Sequence, residues 1–294
     1  MTAVSEPVAS TRVELDGPVD LLRTLGYARM GPTDPCLRVA GDLVWRATRT
    51  PLGLATQRVR TVSKSVVEVD AWGPGAAWVI ERAPALCGAF DHPESFRPEE
   101  PPLLKHLAYW HPGLRVGRNE AVFETALFVT LEQRVATRDA WQSWRLLVRA
   151  LGEPAPGPFP GLFVPPTPKR IAATPYEVFH RFGVERRRGD ILKRLGIVAN
   201  RLEETVGMSL EAAYARLRAI IGVGPWTAAR TAMLALGDCD AVFIGDLHLP
   251  HVVSSALAGE RRGSDERMLE LLEPYRGHRA RVVRLLLAGS PLRR

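Results

Sequence analysis

The pattern of apolar and polar residues divides the chain into two regions of different character. In the first, short segments alternate apolar and polar side chains, as half-buried strands do. The predicted strands are residues 42–50, 54–62 and 65–72. Pro51 and Gly53 mark the turn between the first two strands. Short helices are predicted at 18–26 and at 74–89, where Pro74 suits the first helical turn.

The second region shows apolar residues three and four positions apart, which is the spacing of amphipathic helices. The predicted helical segments are residues 119–152, 176–183, 188–207, 210–220 and 225–237, and two helices are predicted within 265–289, with an interruption at Pro274. A proline-rich loop separates the first two of them, at residues 153–168. No segment repeats at a fixed period, so a solenoid is not predicted.

These patterns predict a mostly α-helical protein with a small N-terminal α+β domain. The predicted organisation is a flexible tail at 1–17, an antiparallel-sheet domain with helices at 18–97, and an all-helical domain at 98–294.

Composition narrows the class of protein. Apolar residues make up 46% of the chain, enough for a substantial core. No stretch is long and apolar enough for a membrane-spanning helix, and the N-terminal residues lack the pattern of a signal peptide. A cytoplasmic protein is therefore expected. Its three cysteines, Cys36, Cys87 and Cys239, lie far apart and predict reduced thiols rather than disulfides or a metal site.

The charge balance favours a polyanionic partner. The 39 Lys and Arg residues exceed the 32 Asp and Glu residues, and only four of the basic residues are lysine. The formal net charge is +7 and the sequence pI is about 9.8. Nucleic acid is the commonest soluble polyanion, although a preference for arginine also follows from a GC-rich coding sequence.

The most informative segment is "LRAIIGVGPWTAA", which predicts a helix, a two-glycine turn at Gly222 and Gly224, and a second helix starting near Pro225. The amides of such a turn, together with the positive end of the following helix, can hold a phosphate group. An ordinary tight helix–helix connection gives the same pattern.

Further residues extend this motif into a recognisable family pattern. Gly222-Val223-Gly224 is followed by Thr227-Ala228, by the loop "GDCDAVFIG" and by Asp246. This order resembles the helix–hairpin–helix–GPD superfamily of DNA glycosylases, in particular its 3-methyladenine DNA glycosylase II members. The segments "FETALFVTLEQRVAT" and "EPYRGHRARVVRLL" and the N-terminal α+β region extend the resemblance over nearly the whole chain.

The resemblance implies an all-helical domain of two lobes with a cleft between them. It also implies a monofunctional DNA glycosylase that removes alkylated purines, of the 3-methyladenine and 7-methylguanine type, from duplex DNA and leaves an abasic site. Two alternatives remain open: a non-catalytic DNA-binding protein, and a glycosylase for deaminated or bulky purines. The protein is expected to be a monomer in the cytoplasm that associates with the nucleoid and not with a membrane.

The resemblance assigns the catalytic carboxylate to Asp246, which alternatively caps the following helix. Trp226 and Tyr275 are assigned to the base pocket, with core packing as the alternative. Trp226 also occupies the position where strand-cleaving members have a Schiff-base lysine, so no lyase activity is expected. Arg230 replaces an aromatic pocket residue of the family. Because a cation facing a cationic base is unfavourable, we expect either that Arg230 points away from the pocket or that the substrate is not 3-methyladenine.

The remaining assignments concern DNA and ions. The resemblance places Gly222, Val223, Gly224 and Thr227 at the DNA backbone, and Gln133 and Arg134 at the gap left by the extruded nucleotide. It also implies a Na⁺ or K⁺ ion on the main-chain carbonyls of Arg218, Ile220 and Val223. No catalytic cofactor is expected. His248 and His251 match no familiar zinc spacing and are predicted to be surface or structural residues.

Overall fold

The N-terminal region forms an antiparallel sheet in the computed structural model, which describes residues 6–289. The strands are β1 (Ala9–Glu14), β2 (Leu37–Ala40), β3 (Leu43–Thr50), β4 (Gly53–Ser63) and β5 (Val66–Trp72). Their order in the sheet is β1-β5-β4-β3-β2. The three predicted strands are present, with bounds shifted by one residue at most ends.

Strand β1 corrects the prediction of a flexible tail at residues 1–17. Residues 9–14 pair with β5 in a continuous antiparallel register from Ala9 opposite Ala71 to Glu14 opposite Val66. The strand lies at the sheet edge, with Val13 buried and most of its other side chains exposed or half-buried. The short polar segment "ASTRVE" therefore carries little apolar signal, and its pairing comes from main-chain hydrogen bonds. Residues 1–5 lie outside the described part of the chain.

Three short helices accompany the sheet: α1 (Leu21–Leu25), α2 (Ala76–Glu81) and α3 (Ala83–Leu86). The single helix predicted over 74–89 is divided in two. Pro84 occupies the first turn of α3, where its missing N–H is not needed, and it cannot continue the preceding helix.

The C-terminal region is built from helices of very unequal length. They are α4 (Pro102–Trp110), α5 (Val122–Leu131), α6 (Thr137–Leu151), α7 (Pro168–Ala173), α8 (Tyr176–Arg181), α9 (Arg186–Ile197), α10 (Ala199–Glu203), α11 (Leu210–Arg218), α12 (Pro225–Leu236), α13 (Leu249–Ala258), α14 (Asp265–Leu272) and α15 (Arg279–Gly289). The predicted helical run 119–152 breaks between α5 and α6, where Arg134 adopts a left-handed backbone with φ of 53°.

One short hairpin departs from the predicted all-helical composition of residues 98–294. The strands β6 (Glu153–Pro154) and β7 (Phe163–Val164) pair within the proline-rich loop. This loop covers an aromatic cluster of the sheet, in which the rings of Trp45 and Trp72 lie 5.4 Å apart and Phe159 contacts Trp45. Burial of these rings explains why the loop is ordered although it is rich in proline.

Buried polar contacts join the sheet region to the helices. The carboxylate of Asp34 accepts hydrogen bonds from three main-chain amides and from Nε1 of Trp144, at 3.1 Å. Arg46 on β3 forms an ion pair with Glu124 on α5. Arg281 on α15 pairs with the buried carboxylate of Asp91. Paired and hydrogen-bonded groups of this kind avoid the cost of burying a lone charge.

The three cysteines are free thiols, as predicted: Cys36 and Cys87 are buried and Cys239 is half-buried. Within residues 6–289, no helix has both the length and the apolar character that crossing a membrane requires.

Candidate active site

The predicted hairpin connects α11 to α12. The amide of Val223 donates to the carbonyl of Ile220 at 2.9 Å and closes the turn. Gly222 has φ of 99°, and a Cβ placed there would lie 2.4 Å from the side chain of Ile191 on α9. Glycine is therefore required at 222 for both backbone conformation and space.

Gly224 has a different environment, although it belongs to the same motif. Its backbone is extended, and a Cβ there would meet no atom within 4 Å. Pro225 opens α12 directly after it, and no side chain caps the helix start. The space beside Gly224, next to the uncapped start of α12, is therefore open to an approaching anionic group.

Asp246 lies in the turn that precedes α13. Gly245, with φ of 89°, places it there, and the amide of Asp246 donates to the carbonyl of Phe243 at 3.2 Å. Its Oδ1 accepts hydrogen bonds from the amides of His248 and Leu249, at 2.8 and 2.9 Å. Asp246 therefore caps α13, as one of the two predicted roles requires, and its carboxylate is held in a fixed orientation.

The second carboxylate oxygen of Asp246 faces α12. Nε1 of Trp226 donates a hydrogen bond to Oδ2 at 2.8 Å. Both side chains are half-buried, so solvent reaches this part of the surface. The structure thus brings together the predicted catalytic carboxylate and the first predicted pocket aromatic, from two elements joined by the loop 237–248.

Gln133 contacts the hairpin directly. Its Nε2 donates to Oγ1 of Thr227 at 2.8 Å and to the carbonyl of Gly222 at 3.2 Å. The neighbouring Arg134 is exposed, in the left-handed turn after α5. The two residues therefore differ in environment: Gln133 supports the hairpin, and Arg134 extends from the surface next to it.

Arg230 lies one helical turn after Trp226 on α12, with its guanidinium 5.9 Å from the Trp226 ring centre. It does not point away into solvent. Its Nε and Nη2 donate to the two carboxylate oxygens of Glu132, and its Nη1 donates to the hydroxyl of Tyr27. The prediction that Arg230 points away is therefore wrong: its guanidinium forms an ion pair with Glu132 beside the Trp226 ring.

Tyr275 is held by contacts to a different part of the chain. Its hydroxyl donates to the carbonyl of Glu100 at 2.5 Å, and its ring lies edge-on to Phe96 at 6.3 Å. The contacts of Tyr275 are thus with Glu100 and Phe96, whereas Trp226 contacts Asp246. Its assignment to the base pocket remains a prediction.

The two histidines near Asp246 each take part in a hydrogen bond that involves a main-chain amide. The amide of His248 donates to Asp246, and Nδ1 of His251 accepts from the amide of Gly263 at 3.2 Å. Across residues 6–289, no group of three or more His, Cys, Asp or Glu side chains is arranged to hold a metal ion.

Several residues of this region were not identified from the sequence. Glu132 and Tyr27 surround Arg230, but they are distant from it along the chain, and their pairing requires the three-dimensional fold. Leu247 follows Asp246 directly and is 77% exposed, and Ile221 at the hairpin is 75% exposed. In the sequence, Leu247 and Ile221 are marked solely by being apolar residues within motifs whose other residues make polar contacts.

The fold of the chain matches solved DNA glycosylases over nearly its full length. A 3-methyladenine DNA-glycosylase from Archaeoglobus fulgidus superposes with a TM-score of 0.81 at 21% identity, covering 94% of this chain and 97% of that one. An 8-oxoguanine glycosylase/lyase from Clostridium acetobutylicum superposes with a TM-score of 0.74 at 13% identity, covering 98% of each chain.

A third glycosylase structure matches a smaller part of the chain. The 3-methyladenine DNA glycosylase of Schizosaccharomyces pombe, in complex with abasic DNA, has a TM-score of 0.55 at 20% identity and covers 66% of this chain and 94% of its own. No protein-family model matches the sequence, and no curated protein matches it. The chain therefore shares the fold of these solved DNA glycosylases, as the resemblance predicts, and at these identities the fold is what the similarity establishes.

Proposed function

We propose that the protein is a DNA glycosylase that hydrolyses the N-glycosidic bond of alkylated purines in duplex DNA and leaves an abasic site. The main support is the fixed carboxylate of Asp246, bonded to the indole of Trp226 and adjacent to the hairpin. The proteins of similar fold include a 3-methyladenine DNA-glycosylase and an 8-oxoguanine glycosylase/lyase, and both support a glycosylase function. The proposal of alkylated purines as substrates therefore depends on the pocket residues.

The chemistry requires stabilisation of positive charge on the sugar. As the bond between C1′ and the base breaks, the base takes the electron pair and the deoxyribose gains oxocarbenium character. The carboxylate of Asp246, oriented by two amides and one indole N–H, would stabilise this charge and orient the attacking water. A purine that already carries a positive charge is a good leaving group, so it needs little help from a general acid.

The hairpin is proposed to bind a DNA phosphate. The open space at Gly224 and the uncapped start of α12 offer main-chain N–H groups and the positive end of the helix dipole. Contacts of this kind position the backbone without reading sequence. The net charge of +7 supports the same partner. Val223 and Thr227, on either side of this opening, are both buried and would fix its shape.

Base extrusion is assigned to the residues next to the hairpin. The ring of Trp226 would stack on the extruded base, since an aromatic face attracts a cationic purine. Tyr275 is proposed as a second wall of this pocket. Gln133 and Arg134 would then lie at the gap in the duplex, with Gln133 held in place by Thr227.

A monovalent cation is proposed at the hairpin, on the carbonyls of Arg218, Ile220 and Val223. The Ile220 carbonyl accepts one hydrogen bond, from Val223, and a carbonyl oxygen has a second lone pair for an ion. When bound, Na⁺ or K⁺ would add positive charge where a phosphate approaches.

We further propose that the enzyme does not cleave the DNA strand. Cleavage through a Schiff base needs an amine nucleophile, and Trp226 at this position has none. The alternative of a non-catalytic DNA-binding protein does not require Asp246. Release of free base from methylated duplex DNA by the wild type and by Asp246→Asn therefore separates the two functions.

A further inference from the structure

The ion pair between Arg230 and Glu132 lies beside the proposed base-stacking residue. The two hydrogen bonds, 2.6 and 3.1 Å, run in parallel from the guanidinium to both carboxylate oxygens. The side chains are 11% and 13% exposed. Parallel bonds of this kind fix the relative orientation of the two groups, so Glu132 holds a negative charge against Arg230 in a water-poor environment.

Tyr27 completes the arrangement. The guanidinium carbons of Arg230 and Arg284 lie 5.2 and 4.8 Å from the centre of the Tyr27 ring. Burial by itself disfavours the charged form of Arg230, but the attraction of Glu132 and the contact with Tyr27 raise its pKa overall. Arg230 therefore keeps the positive charge that guanidinium groups carry in proteins, and its effect on a neighbouring base depends on Glu132.

An unpaired guanidinium at this position would repel a cationic purine stacked on Trp226. The guanidinium lies 5.9 Å from the ring centre, and two like charges separated by somewhat more than this distance near a protein surface lower a binding constant on the order of tenfold or more. Glu132, at hydrogen-bonding distance from the guanidinium, cancels most of this repulsion.

We propose that Glu132 determines the substrate class of this site: by pairing with Arg230 beside Trp226, it allows the pocket to accept positively charged purines. This inference rests on the proposed glycosylase function. Glu132 acts through Arg230 and is a specificity-determining residue, not a catalytic one.

The test compares two purines that differ in charge. Single-turnover release of 7-methylguanine, a cation, and of hypoxanthine, which is neutral, is measured from the same duplex for the wild type, Glu132→Gln, Arg230→Met and the double variant. For Glu132→Gln, the ratio of the 7-methylguanine rate to the hypoxanthine rate should fall roughly tenfold or more. For Arg230→Met it should stay equal or rise, and for the double variant it should return close to the wild-type value.

A purely structural role predicts a different pattern, in which each single variant lowers both rates together. Glu124→Gln is the matched control, because the Arg46–Glu124 pair is similarly buried, at 8% and 12% exposed, near the other end of α5. It should lower the melting temperature without changing the ratio. All rates are measured below the lowest melting temperature of the set.

The outcomes separate this inference from the proposed function. A wild type that releases neither of these bases nor 3-methyladenine contradicts the glycosylase function itself. A wild type that releases hypoxanthine but not 7-methylguanine, or an unchanged ratio in Glu132→Gln, overturns the role of Glu132 alone. If hypoxanthine release is below detection, the 7-methylguanine rates decide: a fall in Glu132→Gln without a fall in Arg230→Met supports the inference, and a fall in both overturns it.

Discussion

The indole of Trp226 and the carboxylate of Asp246 share a 2.8 Å hydrogen bond between α12 and the start of α13. The same carboxylate caps α13 through its other oxygen. Capping and catalysis are compatible, because a capping carboxylate is held in one orientation. One side chain thus joins the hairpin helix, the helix after it and the place where the proposed chemistry occurs.

Replacing Trp226 with Phe should slow base excision and leave the fold intact. The substitution keeps an aromatic face for the base but removes the N–H that orients Oδ2 of Asp246. Hydrogen bonds to charged groups contribute about 1.5–3 kcal/mol, so we expect a fall in the single-turnover rate on the order of tenfold or more. Trp78→Phe, in the N-terminal helix α2, is the control and should excise at the wild-type rate. Full activity in Trp226→Phe would show that the hydrogen bond is not used.

The two hairpin glycines should respond differently to alanine. Gly222→Ala requires an unfavourable positive φ and places Cβ against Ile191, so it should lower the free energy of unfolding by about 2–4 kcal/mol. Gly224→Ala meets open space and should change it by less than about 0.5 kcal/mol. Urea unfolding measures both values.

Gly224→Ala should nevertheless weaken binding to duplex DNA, because the added methyl group occupies the space proposed for a phosphate. Titration of labelled duplex at fixed salt measures the affinity. Equal affinity for Gly224→Ala and wild type would place the DNA backbone elsewhere.

Borohydride should trap no covalent complex between the protein and damaged duplex DNA. Trapping requires a Schiff base, and Trp226 has no amine at the position that would form it. A glycosylase/lyase assayed in parallel shows that the conditions detect such an adduct. A trapped complex with this protein would contradict the assignment as a monofunctional enzyme.

The hairpin could be located from the sequence because its chemistry is local, and Asp246 could be located because the family resemblance points to it. A positive φ at Gly222 demands glycine, and a carboxylate just before a helix is a recognisable cap. Strand β1 was not predicted, since an edge strand with few buried side chains has a weak apolar pattern. The partners of Arg230 were also not predicted, because the fold brings Glu132 and Tyr27 to it from distant parts of the chain.

Proline and backbone geometry account for the misplaced helix ends. The segment 74–89 forms two helices because Pro84 cannot continue the preceding helix, although the apolar spacing extends through it. The run 119–152 was predicted as continuous because its apolar spacing persists through the break, where Arg134 turns the chain.

The most direct test of the account is base release by Asp246→Asn from duplex DNA methylated at purines. Asparagine retains the size of the side chain and an oxygen that can cap α13, but it has no negative charge to stabilise the oxocarbenium ion. We predict that the wild type releases methylated purines, and that the variant binds the same duplex with similar affinity but releases base at least about 100-fold more slowly. Release by Asp246→Asn at the wild-type rate would contradict the central role of this carboxylate.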